Sequence, residues 1–279
     1  MADARERELE RQADAGDAPA AAQLLVERVR AGSLPRVRLE LAAYLQYPAA
    51  TRALELLGKE VEVPADPEDW VLGMIGRGHE ANARVVWAAI RPCLPALALW
   101  SPEVDWRCIE TTVAAWLAEP AAAPLARLVE LTEPLAAERT YPGDTEPAGA
   151  AASALTQEPV RQALRAVLPA SCELPPLPPP APWNDPGHSS RFPREPTDAS
   201  TAVFLLRDVL DPTHSDDTAQ CAIESVVREY GGRFGSHLVR WARPYVNATS
   251  VVHRAVWGAA YRALGETVRA ELLPWCLGD

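Results

Sequence analysis

Apolar residues recur along most of this chain at spacings of three and four, while strand-like alternation is nearly absent. That pattern predicts an all-α protein. Asp17 stands where it can cap a helix whose first turn holds Pro19, with Leu24, Leu25 and Val29 on one face. Gly32, which enters the left-handed region cheaply, closes that helix. A second is expected from Pro35 to Gln46, with Val37, Leu41, Tyr44 and Leu45 as its apolar stripe; Pro48 breaks it and opens a short helix ending at Gly58. Val61–Asp66 is the one plausible extended stretch and reads as a linker. Helices are then expected over Pro67–Arg77 (carrying Trp70), Glu80–Ile90 and loosely past Pro92, Glu103–Leu117 and Ala121–Ala137. After a turn-rich loop at Tyr141–Gly149 comes Glu158–Leu168. Beyond the proline-rich segment, the pattern gives Ala199–Leu210 (capped by Thr197 or Asp198), Ser215–Tyr230, Arg233–Tyr245, Ser250–Leu264 and Glu266–Leu277.

Residues 169–197 break the pattern with ELPPLPPPAPW followed by NDPGHSSRFPREP. Proline lacks the backbone donor and drives its predecessor out of the helical region, so this segment is neither a helix nor a central strand. It is a polyproline-like surface strap or a flexible linker. Leu174, Leu177, Trp183 and Phe192 favour the strap, because unattached segments are poor in aromatics. The organisation expected is an N-terminal helical repeat module at 1–58, central helical hairpins at 66–168, the strap or linker at 169–197 and a C-terminal helical module at 198–279.

An internal repeat stands out. Residues 41–50 read LAAYLQYPAA and residues 113–122 read VAAWLAEPAA, at an offset of 72. Each ends a helix with a large ring (Tyr44, Trp116) beside small alanines, then places a proline that halts one helix and opens the next. Facing alanines let two antiparallel helices approach closely while the ring fills the hollow. Repeated helix–proline–helix units are a signature of stacked hairpins, although an alanine-rich chain also produces such matches by chance.

Three stretches carry a resemblance. RELERQADAGDAPAAAQLLVERVRAGSLPRVRLELAAYLQYPAATRAL (7–54), WVLGMIGRGHEANARVVWAAIRPCLP (70–95) with TTVAAWLAEP (111–120), and VRAELLPWCLGD (268–279) resemble a group of uncharacterised all-helical proteins from GC-rich bacteria. The chain is also similar, more distantly, to HEAT-like helical repeats. The resemblance implies stacked helical hairpins, covers about half the chain and implies no site residues.

Composition adds constraints. Arginine and lysine total 27, with Lys59 the one lysine, and 27 prolines accompany them, a bias that suggests a GC-rich coding genome. Aspartate and glutamate total 38, giving a formal charge of −11, which argues against a dedicated nucleic-acid binder. The five cysteines, at gaps of 15, 64, 49 and 55, form none of the short pairs that build zinc or redox sites, and fit free thiols in a reducing cytoplasm. The opening MADARERELERQADAG has no apolar core and does not read as a secretory signal. The most apolar window, Val85–Trp100, is short and holds Arg91, Pro92 and Pro95, so no bilayer-spanning segment is expected.

Two clusters are candidates for chemistry. Asp211, His214, Asp216, Asp217 and Cys221 lie together in DPTHSDDTAQC and offer oxygen and imidazole ligands for a divalent cation. Acids also gather at helix starts simply because they favour the positive end of the dipole. His237 and His253, on neighbouring expected helices, lack a nearby carboxylate on either one. No glycine-rich phosphate loop, nucleophile elbow or zincin motif is present. Between Arg228 and Glu271, seven arginines face three glutamates in an otherwise acidic chain. Arg233, His237 and Arg240 share a helical face there, and with Arg243 and Arg254 they make a candidate interaction face, either a solvated surface or a dock for an acidic partner.

The expectation is therefore an all-α, HEAT-like, α-solenoid-like cytoplasmic protein: a non-enzymatic scaffold or adaptor binding an unidentified, acidic or other, protein partner. No catalytic, cofactor or metal residues are expected, no membrane association, and nucleic acid is disfavoured. The alternatives are a metal-dependent enzyme built on Asp211–Asp217 and a HEAT-like nucleic-acid binder using the C-terminal arginines.

Overall fold

The computed structural model describes residues 2–94, 98, 104–137, 162–167, 198–211, 216–227 and 249–278. Every regular element among them is helical, and no strand occurs among them, as the three-and-four spacing requires. The chain divides into two units, one of residues 1–65 with 268–279 and one of residues 66–267.

The first unit holds α1 (Ala2–Asp14), α2 (Ala18–Ala31), α3 (Arg36–Tyr44) and α4 (Pro48–Leu56). Asp17 caps α2 as its sequence position suggests: its carboxylate accepts the Ala20 N–H at 3.1 Å, and Gly32 closes the helix at φ 75°. α2 packs on α1 and α4, and α4 on α3, burying Leu24, Leu25, Leu39, Leu41, Leu45 and Leu54. α3 stops at Tyr44, short of the expected Gln46, because Gln46 takes a left-handed φ of 61° and the Tyr47 N–H turns back to the Ala42 carbonyl at 3.0 Å. The unit is tied to its C-terminal residues: the Arg38 guanidinium lies 4.2 Å over the Trp275 ring, and Arg28 donates to the Leu277 carbonyl at 3.4 Å.

The second unit contains α5 (Pro67–Leu72), α6 (His79–Ile90) with a 3₁₀ turn at Arg91–Cys93, α7 (Trp106–Ala118), α8 (Ala122–Ala137), a helical stretch at 162–167, α9 (Asp198–Val209), α10 (Asp216–Val227) and α11 (Thr249–Leu277), whose residues from Val268 onward belong to the first unit. α6 is apolar on nearly every side. Ala81, Ala83, Val85, Val86, Trp87 and Ile90 are all buried, as a helix packed against α7, α9 and α10 must be. Arg84 interrupts that surface, pairing with Glu80 at 3.1 Å and donating to the Leu117 carbonyl.

Other expected elements also differ. The helix predicted over Pro67–Arg77 ends at Leu72, because the glycines that follow turn the chain, with Gly76 at φ 80°. The two helices predicted over Ser250–Leu264 and Glu266–Leu277 are one. Gly265 lies inside it against Trp70 and does not break it, and Pro274 lies in its last turn. The proline-rich segment 169–197 and the helix expected at Arg233–Tyr245 lie outside the described residues.

The two copies of the repeat bury their rings alike, Tyr44 at 2% and Trp116 at 3% exposure, with Trp116 meeting His79 edge-on at 5.3 Å. Their alanines part company: Ala42 and Ala43 are buried, whereas Ala114 and Ala115 are exposed. Pro48 begins α4, but Pro120 precedes the start of α8.

Candidate functional site

The second unit carries an open groove of about 1010 Å³. One wall is α11, which turns Arg254, Gly258, Tyr261 and Arg262 to the same side at helical spacings of four, seven and eight. The start of α5 supplies Asp66 and Glu68, and α10 supplies Glu224. The 162–167 stretch contributes Gln162, Ala163, Ala166 and Val167 to the lining.

Local chemistry fixes these groups. Asp66 is the N-cap of α5 and accepts the Glu68 and Asp69 N–H groups at 2.9 and 3.3 Å, so its charge sits at the positive end of the helix. Glu68, in the first turn of α5, accepts the Tyr261 hydroxyl at 3.0 Å and joins α5 to α11. Trp257 and Tyr261 lie with ring centres 6.4 Å apart, tilted by 41°. Tyr261 is buried and Trp257 half-buried. Glu224 accepts from Gln220 at 2.9 Å and is half-buried, while Glu68, Arg254 and Arg262 are exposed. Among the described residues of the lining, three carboxylates stand against two guanidinium groups, one net negative charge.

Of the candidate interaction face, Arg254 lies in this groove; Arg233, His237, Arg240 and Arg243 lie outside the described residues. The Asp211–Asp217 cluster is described in part. Asp216, at the start of α10, accepts from the buried Asn82 side-chain amide at 2.8 Å, and the Asn82 amide oxygen accepts the Gly76 N–H at 3.0 Å. One short network thus joins the turn after α5, the core helix α6 and the start of α10. Asp217 and Cys221 are exposed, and His214 lies outside the described residues. Among the described residues no group of three or more His, Cys, Asp and Glu is arranged to hold a metal ion, and Cys93, Cys108, Cys221 and Cys276 form no disulfide. No helix among them is long and apolar enough to cross a membrane.

Glu68, Glu224, Trp257, Gly258 and Tyr261 were not singled out by the sequence pattern, because they converge from three separated segments, whereas Arg262 was one of the seven C-terminal arginines. The available signal was a glycine inside an otherwise unbroken helical pattern. No protein-family model matches the chain, and no match is found among curated proteins or solved structures.

Proposed function

We propose that this chain is a non-enzymatic scaffold or adaptor of HEAT-like, solenoid-like helical hairpins, acting in the cytoplasm by binding a segment of a partner protein. The reading follows the resemblance to the all-helical group of GC-rich bacteria. One observation carries it: the lining of the open groove in the second unit combines small residues of the 162–167 stretch, a half-buried tryptophan and charges of both signs. Protein-binding sites combine an aromatic anchor in a depression with a polar rim in this way. A buried small-molecule site would instead enclose its ligand on most sides.

The metal-dependent alternative loses support from Asp216, whose position is explained by its bond to Asn82. The nucleic-acid alternative is weakened by the carboxylates that accompany Arg254 and Arg262 in the groove, since phosphate binding needs an excess of positive charge.

The test is selection from a random peptide library on the full chain. Enriched peptides should compete with one another and lose binding on Trp257→Ala. A library that yields nothing above background, or peptides indifferent to Trp257→Ala, would overturn the assignment of the groove.

A further inference from the structure

We infer that the occupant of this groove is a cationic segment of a partner protein, an arginine or lysine side chain lying over Gly258 with its charge on Glu68. The inference rests on the groove being a protein-binding site and names the chemistry of what enters it.

It starts from a glycine that no contact among the described residues requires. A glycine in the interior of a helix weakens it relative to alanine, by exposing backbone and widening the unfolded ensemble. α11 contains two. At Gly265 a Cβ would stand 2.4 Å from the Trp70 ring, so the close approach of α5 requires the missing side chain. At Gly258 a Cβ would meet no atom within 4 Å among the described residues, and the helix there has no positive φ to accommodate. Among the described residues, neither packing nor backbone conformation accounts for Gly258. It lines the groove, and the open space above it is a hollow that any side chain would begin to fill. Close approach of a ligand to the backbone is the remaining use of such a position.

The surroundings select the ligand. One turn on from Gly258, Tyr261 holds the Glu68 carboxylate through its hydroxyl, which leaves the second carboxylate oxygen for another donor. Trp257 borders the same hollow with a ring that attracts cations. Asp66 and Glu224 add negative charge from α5 and α10, so that among the described residues the carboxylates outnumber Arg254 and Arg262, which stand four residues to either side of Gly258 along α11. The chain as a whole carries −11 and steers cationic partners toward itself. The expectation of an acidic partner came from the arginines alone; the carboxylates that the fold gathers opposite them favour a basic one.

The experiment uses the full chain and three fluorescein-labelled twelve-residue peptides, one rich in arginine and lysine, one in aspartate and glutamate, one in serine and glutamine, followed by fluorescence anisotropy. The basic peptide should bind best. Glu68→Gln, which keeps an acceptor for Tyr261, should weaken it about threefold, and Glu68→Gln with Glu224→Gln about tenfold. Gly258→Leu, which fills the hollow, should weaken it at least roughly tenfold. Glu110→Gln, an exposed carboxylate on α7 outside the groove, should leave binding unchanged and so separates the site from the general charge of the chain. Equal losses for Glu68→Gln and Glu110→Gln, or no loss with Gly258→Leu, overturn the inference. Preferred binding of the acidic or neutral peptide, abolished by Trp257→Ala, overturns the cationic occupant and preserves the groove as a protein-binding site. Binding of none of the three overturns the cationic occupant, and the library selection then decides the groove on its own.

Discussion

The two glycines of α11 should respond to the same substitution with opposite signs. Gly258→Ala adds a methyl group in open space and removes the helix penalty of glycine, so it should stabilise the second unit by about 0.5–1 kcal/mol. Gly265→Ala gains the same helical term but places its Cβ 2.4 Å from Trp70 Cζ3, 2.8 Å from Cε3 and 3.1 Å from Val71 Cγ2. Carbon atoms in contact sit about 3.5–4.0 Å apart, so the ring must retreat by about an ångström. Trp70 is 6% exposed and Val71 fully buried, which leaves the ring little room to move. Overpacking of this kind costs about 1–3 kcal/mol, and after the helical gain the net destabilisation should be about 1–2 kcal/mol. Urea unfolding followed by circular dichroism measures both. With a slope of about 2 kcal/mol per molar, Gly265→Ala should lower the midpoint by about 0.5–1 M and Gly258→Ala should raise it by about 0.3–0.5 M. Trp70→Leu in the Gly265→Ala background should restore part of the loss, because the two changes share one contact. A Gly265→Ala midpoint at or above that of the parent would refute the packing of α11 on α5, and with it the wall of the groove.

Other predictions follow from the core and the surface. Asn82→Ala removes both arms of a buried network and should destabilise the second unit by about 1–3 kcal/mol, whereas Asp216→Ala, at an exposed helix start, should cost about 0.5–1 kcal/mol. The reverse order in urea unfolding would show that Asp216 has a task beyond this contact. Ala42→Leu, with its side chain fully buried in the first repeat copy, should destabilise by about 1–3 kcal/mol, while Ala114→Leu at the matching exposed position should stay within about 0.5 kcal/mol of the parent by thermal unfolding. Glu8 is held below its ordinary carboxylate range, first by its hydrogen bond from Arg11 and then by that from Gln12. A carboxyl depressed by folding stabilises above its unfolded pKa of about 4.3, and that contribution disappears as the pH falls through the lower folded value. Carboxyl NMR should therefore find Glu8 titrating below the free value, and Arg11→Ala should return it upward; a Glu8 that titrates normally in the parent contradicts the pair.

Local signals carried the helical class, and they did so where a single residue decides a boundary. Asp17 and Gly32 bracket α2 because a side-chain acceptor and a left-handed φ are properties of those residue types themselves. The expected break at Gly265 was wrong for a related reason. A glycine in a sequence signals either a turn or a close approach, and only the position of Trp70, almost two hundred residues earlier, tells the two apart. The groove was illegible on the same ground: Glu68 owes its place to the Tyr261 hydroxyl, and no periodicity records a bond between residues so distant in the chain. The arginines were visible as a charge excess, but the carboxylates that share the groove with Arg254 and Arg262 come from α5 and α10 and, among the described residues, outnumber them in the lining.

The repeat pair shows what a short motif does and does not fix. In both copies the aromatic residue is buried, because a large ring at the end of a helix must find an apolar hollow or forfeit its burial energy. Alanine faces no such demand. It is the best helix former and tolerates either environment, so its burial is decided by whichever neighbour the topology supplies. In the first copy α2 and α4 surround α3 and its alanines disappear; in the second, Ala114 and Ala115 face outward from α7. The proline behaves like the alanines: Pro48 opens α4 directly, whereas Pro120 stands two residues ahead of α8. Tyr44 and Trp116 therefore carry the structural content of the motif, and a search for further hairpins in this chain should weigh buried rings at helix ends above runs of alanine.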